Sequence, residues 1–174
     1  MAYVFTLKYQ LSSRDHDHDE IVERLFEAGC DDATIGVGQP GRIALAFNRE
    51  GPDAWSAIFS ALRDIKRAVP SARLVEAGPD LVGLTDVADL AGVTRQNMRK
   101  LMLKHASDFP LPVHEGNPSV WHLSDVLVWL TNRGSYPISA ELVEIAKSIK
   151  QVNLAKEARE IEPRFNQQLA PLLA

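Results

Sequence analysis

The sequence predicts an α+β protein, and three observations carry that expectation. Residues 3–11 place an apolar side chain at every odd position, with polar ones between them from Thr6 onward. Two stretches with apolar residues at helical spacing are interleaved with short extended runs. After Gly78-Pro79 the pattern changes to two short helices around a glycine. Alternation marks half-buried strands and the 3.6-residue period marks amphipathic helices, and their order decides the fold class.

Tyr3, Phe5, Leu7, Tyr9 and Leu11 fall on one side of the first strand, with Thr6, Lys8 and Gln10 on the other. A polar loop leads to a helix over 19–28, with Ile21, Val22, Leu25 and Phe26 as its apolar stripe and Gly29 as its stop. Residues 33–37 are a second strand, Gln39-Pro40-Gly41 a turn, and 42–47 a third strand. Gly51-Pro52-Asp53 opens a strong helix whose inward stripe is Trp55, Ile58, Phe59, Leu62 and Ile65; Pro70 ends it, and 72–76 is a fourth strand. This β-α-β-β-α-β order over residues 1–78 places two helices on one face of a four-stranded antiparallel sheet and resembles the ferredoxin-like fold. That fold implies no single function. The other sheet face, with Thr6, Lys8, Gln10, Ala44 and Ala46, is left for solvent or a partner. The domain is expected to serve assembly, sensing or binding of a protein partner.

Residues 76–80 contain Gly-Pro and are taken as the boundary, which opens a second domain over 79–135. Thr85 is the expected N-cap of a short helix with Val87, Leu90 and Ala91 buried. Gly92 makes the turn, Val93 fills the space between the helices, and Thr94 caps the next helix. In that helix Met98, Leu101 and Met102 face inward. Arg95, Gln96, Arg99 and Lys100 share the opposite face, Asn97 lies at its border, and Lys104 extends the basic edge. Arg pairs bidentately with guanine and Asn or Gln with adenine, so these side chains suit base reading; Lys more often holds phosphate.

Two extended arms, 109–113 and 120–123, flank a His-Glu-Gly-Asn-Pro-Ser tip and predict a β-hairpin; Ser124 is the expected cap of a following helix. The Leu84–Thr94 helix pair, the Phe-Pro-Leu-Pro arm, the glycine-containing tip and the exit Trp121-x-Leu123-x-Asp125-Val126-x-x-Trp129-Leu130 resemble the winged helix-turn-helix of the MerR, excisionase and AlpA-like group. The resemblance implies a recognition helix in the DNA major groove and a wing on the backbone or minor groove. By position it assigns reading to Thr94, Arg95, Gln96, Asn97, Arg99 and Lys100, and wing contacts to His114 and Asn117.

Residues 79–132 carry four cations (Arg95, Arg99, Lys100, Lys104) against six carboxylates, a net of −2, and the whole chain carries −4. A uniformly basic coat is excluded, so one copy is expected to grip DNA weakly and a two-fold pair to bind half-sites. The extension over 136–174 carries a stripe, Leu142, Ile145, Ile149 and Val152 after a Ser139 cap, that can pack on the second domain or pair with a second copy; pairing is favoured.

Other chemistry finds little purchase. Asp15-His16-Asp17-His18-Asp19 is better explained as an acidic helix start than as a metal site. Cys30, the one cysteine, excludes an internal disulfide and is expected to be a small structural residue. Phosphate-loop, zincin and nucleophile-elbow motifs are missing, so neither catalysis nor a cofactor is expected. Trp55, Trp121 and Trp129 fall at core-facing positions. With no apolar run long enough for a bilayer and no positive leader, the expectation is a cytoplasmic protein with no membrane contact. The function expected is a dimeric, sequence-specific DNA-binding regulator acting as a repressor on double-stranded DNA. The alternatives are an antitoxin-like interaction module that autoregulates through DNA and an excisionase-type architectural factor.

Overall fold

The computed structural model describes residues 1–173. The chain begins with β1 (Ala2–Gln10), α1 (His18–Glu27), β2 (Ala33–Gly36), β3 (Arg42–Glu50), α2 (Ala54–Ala68) and β4 (Arg73–Gly78). Their four strands form an antiparallel sheet in the order β2-β3-β1-β4. The register pairs Phe5 with Phe47, Leu7 with Leu45 and Tyr9 with Ile43, which gathers the apolar side of the alternation on one face. Phe5 and Phe47 stack with ring centroids 5.1 Å apart. The opposite face stays open: Val4, Lys8 and Ala46 are exposed. Asp17 caps α1 by accepting hydrogen bonds from the backbone N–H groups of Asp19 and Glu20, which gives the acidic run a structural role.

Three aromatic placements differ from expectation. Phe26, Trp55 and Phe59 are exposed, at 49%, 48% and 53%. The sheet-facing side of α2 is made instead by Ala54, Ala57, Ala61 and Ala68 with Ile58 and Ile65. Alanines let the helix sit close to the sheet, and Trp55 and Phe59 occupy the outer stripe, stacked at 6.0 Å. Cys30 is fully buried. Burial pushes its thiol up to about 11, so a thiol reagent at pH 8 is expected to label it only after denaturant unfolds the protein; stoichiometric labelling of the native protein would contradict this placement.

The second unit consists of β5 (Leu81–Val82), α3 (Leu84–Leu90), α4 (Arg95–Lys104), β6 (Trp121–His122) and α5 (Leu123–Arg133). Its core gathers Val87, Ala88, Ala91, Met98, Phe109, Trp121, Val126, Leu127 and Leu130. Leu90, expected inside, is 39% exposed. It borders a groove of about 660 Å³ between α3 and the open face of the sheet, where Val4, Thr6 and Lys8 lie opposite Asp86 and Asp89.

Residues 76–80 do not behave as a loose linker. β4 runs through Gly78, and Asp80 is 3% exposed. Its carboxylate meets His122 Nδ1 at 2.7 Å and accepts from Asn153 Nδ2 at 2.8 Å. Asn153 also exchanges two hydrogen bonds with the backbone of Ala77, at 3.0 and 2.9 Å.

Asn153 belongs to α6 (Ala140–Ala158), which Ser139 caps as expected. The apolar stripe of α6 is consumed within the chain, which corrects its assignment to pairing with a second copy. Ile145, Ile149 and Val152 complete the first core, while Ala146 and the half-buried Leu142 join the second. Burying each large side chain stabilises the fold by roughly 1.5–3 kcal/mol. An a/d-like spacing records that one side of a helix is covered, not by what. After α6, α7 (Pro163–Leu169) and a short 3-10 turn (Ala170–Leu172) bury no side chain. Among the described residues no helix is long and apolar enough to cross a membrane.

Candidate nucleic-acid interface

The turn between α3 and α4 forms at the expected place by partly different means. The N-cap of α3 is Gly83, whose N–H donates to Asp86 Oδ2 at 2.8 Å. This starts the helix ahead of Thr85, which sits exposed in its first turn. Gly92 has φ 68°, and a Cβ there would meet no atom within 4 Å. Only backbone strain therefore opposes a side chain at this point. Gly92→Ala is expected to lower stability by about 1–2 kcal/mol in urea denaturation; an unchanged midpoint would show that the turn tolerates a side chain.

Thr94 caps α4 by accepting from the Asn97 N–H at 3.2 Å. Met98 is fully buried and anchors the helix, with Leu101 and Met102 half-buried beside it. Thr94, Arg95, Gln96, Asn97, Arg99, Lys100 and Lys104 are all exposed. Among the described residues none of the four cations is held in an ion pair.

The predicted hairpin is shortened to its tip. One antiparallel bridge joins His114 to Val120, and the Val113 N–H donates to the Val120 carbonyl at 2.7 Å; no ladder continues along the arms. β6 pairs with β5, Val82 opposite Trp121. Pro110 and Pro112 have no N–H to give a ladder. Side chains hold the rest of the arm: Trp121 Nε1 donates to the Pro110 carbonyl at 3.0 Å, and Phe109 packs edge-on against Trp121 and Trp129 at 6.0 and 4.9 Å. Trp121 is thus a core residue as expected, while Trp129 is half-buried and donates to Asp108 at 3.1 Å.

Ser124, expected to cap α5, is buried one residue inside it. The first N–H of that helix donates to the Asp80 carbonyl at 2.7 Å.

The loop tip bends toward α4. Arg95, Arg99, Gly116, Asn117, Ser119 and Trp121 line one cleft of about 170 Å³. Of the nine residues singled out in the sequence, the fold brings Arg95, Arg99 and Asn117 together there. Gln96, Asn97, Lys100 and Lys104 remain on the exposed surface of α4 outside it. His114 is exposed but folds its ring over Gly116, where a Cβ would collide with Nε2. Gly116 and Ser119 join the cleft unforeseen; position in a loop gives no periodic signal.

Charge around this surface is also milder than the segment count implies. Lys150 of α6 pairs with Asp125 at 2.7 and 2.9 Å, and Arg133 approaches Asp108 at 3.4 Å. Asp80 is buried against His122. Asp86, Asp89 and Glu115 remain as exposed carboxylates of the unit without an ion pair among the described residues. Comparison of the chain with protein-family models, curated proteins and solved structures finds no match.

Proposed function

We propose that this chain is a sequence-specific DNA-binding regulator that acts as a pair of copies on double-stranded DNA. Its second unit is taken as a winged helix-turn-helix with α4 as recognition helix, and its first as a ferredoxin-like domain, a reading favoured by the β2-β3-β1-β4 sheet order. The observation that carries the proposal is the outer surface of α4. Arg95, Gln96, Asn97, Arg99 and Lys100 stand exposed over its first two turns, and the N-terminal part of a recognition helix is what contacts bases when it enters the major groove. Asn117 beside Arg95 and Arg99 lets the loop serve as a short wing for the adjoining backbone.

Binding-site selection from random duplexes, using the full chain, tests this reading. One motif should be enriched, and Arg95→Ala or Arg99→Ala should weaken binding to it by at least about tenfold, the loss of one bidentate base contact. Equal binding of the wild type and both variants to any duplex would refute the assignment of α4. Salt gives a second measure. With Arg95, Arg99, Lys100 and Lys104 as the local cations, the log–log salt slope should be no steeper than roughly −4 per protomer. A steeper slope would place the DNA on another surface.

A further inference from the structure

The outer surface of the α1–α2 layer combines exposed aromatic rings with two opposed sets of charge. Trp55 and Phe59 are about half exposed and stacked, and Phe26 is exposed on the neighbouring helix. Large exposed apolar patches mark interaction sites, and Trp beside Arg is the composition of an interface hot spot. α1 presents Asp19, Glu20, Glu23 and Glu27, all exposed; α2 presents Arg63, Lys66 and Arg67, all exposed. Several charges on these helices are already engaged: Asp64 holds Arg49 at 2.8 Å and Arg67 at 3.3 Å, Arg24 donates to the Ala68 carbonyl and approaches Glu20 at 3.7 Å, and Arg67 and Lys66 donate to the Ala28 and Pro70 carbonyls. Among the described residues no ion pair joins an α1 carboxylate to an α2 cation. The layer is therefore acidic on one helix and basic on the other, and among the described residues Asp19, Glu23, Glu27, Arg63 and Lys66 have no ion-pair partner within the chain. A two-fold axis makes such a surface its own complement, because each contact is made twice with the roles exchanged.

We infer that this face is a homodimer interface in solution, with Trp55 and Phe59 packed against a second copy and acidic α1 facing the partner's basic α2. It uses no residue of α4 or of the 109–120 loop, so the DNA-reading surface is not consumed. The inference deepens the paired reading above and rests on it for the pairing alone. Its test uses no DNA, so its failure is distinguishable from failure of α4 to read bases.

The test is the mass of the full chain at tens of micromolar by light scattering or sedimentation. The wild type should be a dimer and Trp55→Ala/Phe59→Ala a monomer; both positions are exposed, and circular dichroism checks that the variant folds. Glu23→Lys/Glu27→Lys and Arg63→Glu/Lys66→Glu should each be monomeric, since each puts like charges together. An equimolar mixture of these two should dimerise again, because both contacts then join opposite charges. A monomeric wild type would overturn the inference, as would a dimer unaffected by the aromatic double substitution. Failure of the mixture to recover would overturn the pairing of α1 with α2. A dimer lost only when residues 159–174 are deleted would assign self-association to the C-terminal tail instead.

Discussion

Arg49→Ala is expected to lower stability by about 3–5 kcal/mol, the cost of removing one partner from a buried ion pair. Arg49 is 6% exposed on the helix-facing side of the sheet. Its guanidinium donates to both carboxylate oxygens of Asp32 at 2.8 and 2.9 Å, to Asp64 at 2.8 Å, to the Ser60 hydroxyl at 3.2 Å and to the Gly29 carbonyl. It also lies 4.8 Å from the Phe47 ring centroid. Burial opposes the charged form, yet the hydrogen bonds and charges of Asp32 and Asp64 outweigh it and hold the group above its usual range. The arginine stays ionised, and one side chain joins β3, the end of α1 and the middle of α2. Truncation leaves Asp32 without its cation, Asp64 with only the exposed Arg67 at 3.3 Å, and the Gly29 carbonyl without its donor. Guanidinium denaturation followed by circular dichroism measures the loss; a change below about 1 kcal/mol would mean that water or a rearranged side chain replaces the arginine. Arg49→Lys should recover little, since an ammonium cannot fork between two carboxylates. Arg49→Met with Asp64→Leu should recover more, because it removes the more buried pair of charges and leaves only Asp32, which lies closer to solvent.

The second large effect is expected at Asp80. Asp80→Ala should cost about 2–3 kcal/mol, because His122 and Asn153 lose the acceptor they share in a buried site. Its signature should differ from that of Arg49. The polar cluster of Asp80, His122 and Asn153 ties the sheet, the second unit and α6 together, so its loss should broaden or split the unfolding transition. Differential scanning calorimetry reads this directly as a calorimetric enthalpy exceeding the van't Hoff value. A single sharp transition merely shifted to lower temperature would show that the apolar faces of α6 couple the units without the polar cluster.

Much of this architecture is legible in the chain. The alternation of Tyr3 through Leu11, the helical stripes and the Thr94 cap are local signals, set by backbone period and capping chemistry. What escaped depends on partners distant in sequence or on size rather than polarity. On α2, Trp55 and Phe59 outrank Ala57 and Ala61 in hydrophobicity, so the spacing selects them for the core; close packing on the sheet requires the alanines. The stripe of α6 is visible, but its cover comes from β1, β4, α2 and α5, which no local pattern encodes. Arg49 looks like a surface residue at the end of a strand until Asp32 and Asp64 are brought to it. At the candidate interface, the α4 side chains follow from helical geometry. The Arg95–Arg99–Asn117 cleft required a loop whose path is fixed by Trp121 and two prolines.

The placement of α6 bears on how the protein is made. A nascent chain finishes β4 at Gly78, but the helix that completes the first core ends its contribution at Val152. About seventy residues of synthesis separate them, on the order of four to fifteen seconds at ribosomal rates. Throughout that interval the side of the sheet destined for α6 waits uncovered while the second unit emerges and folds. The ribosome-bound intermediate should therefore engage chaperones longer than its size alone requires. A message truncated anywhere before the codons for α6 would yield a sticky half-product rather than a freestanding sheet domain.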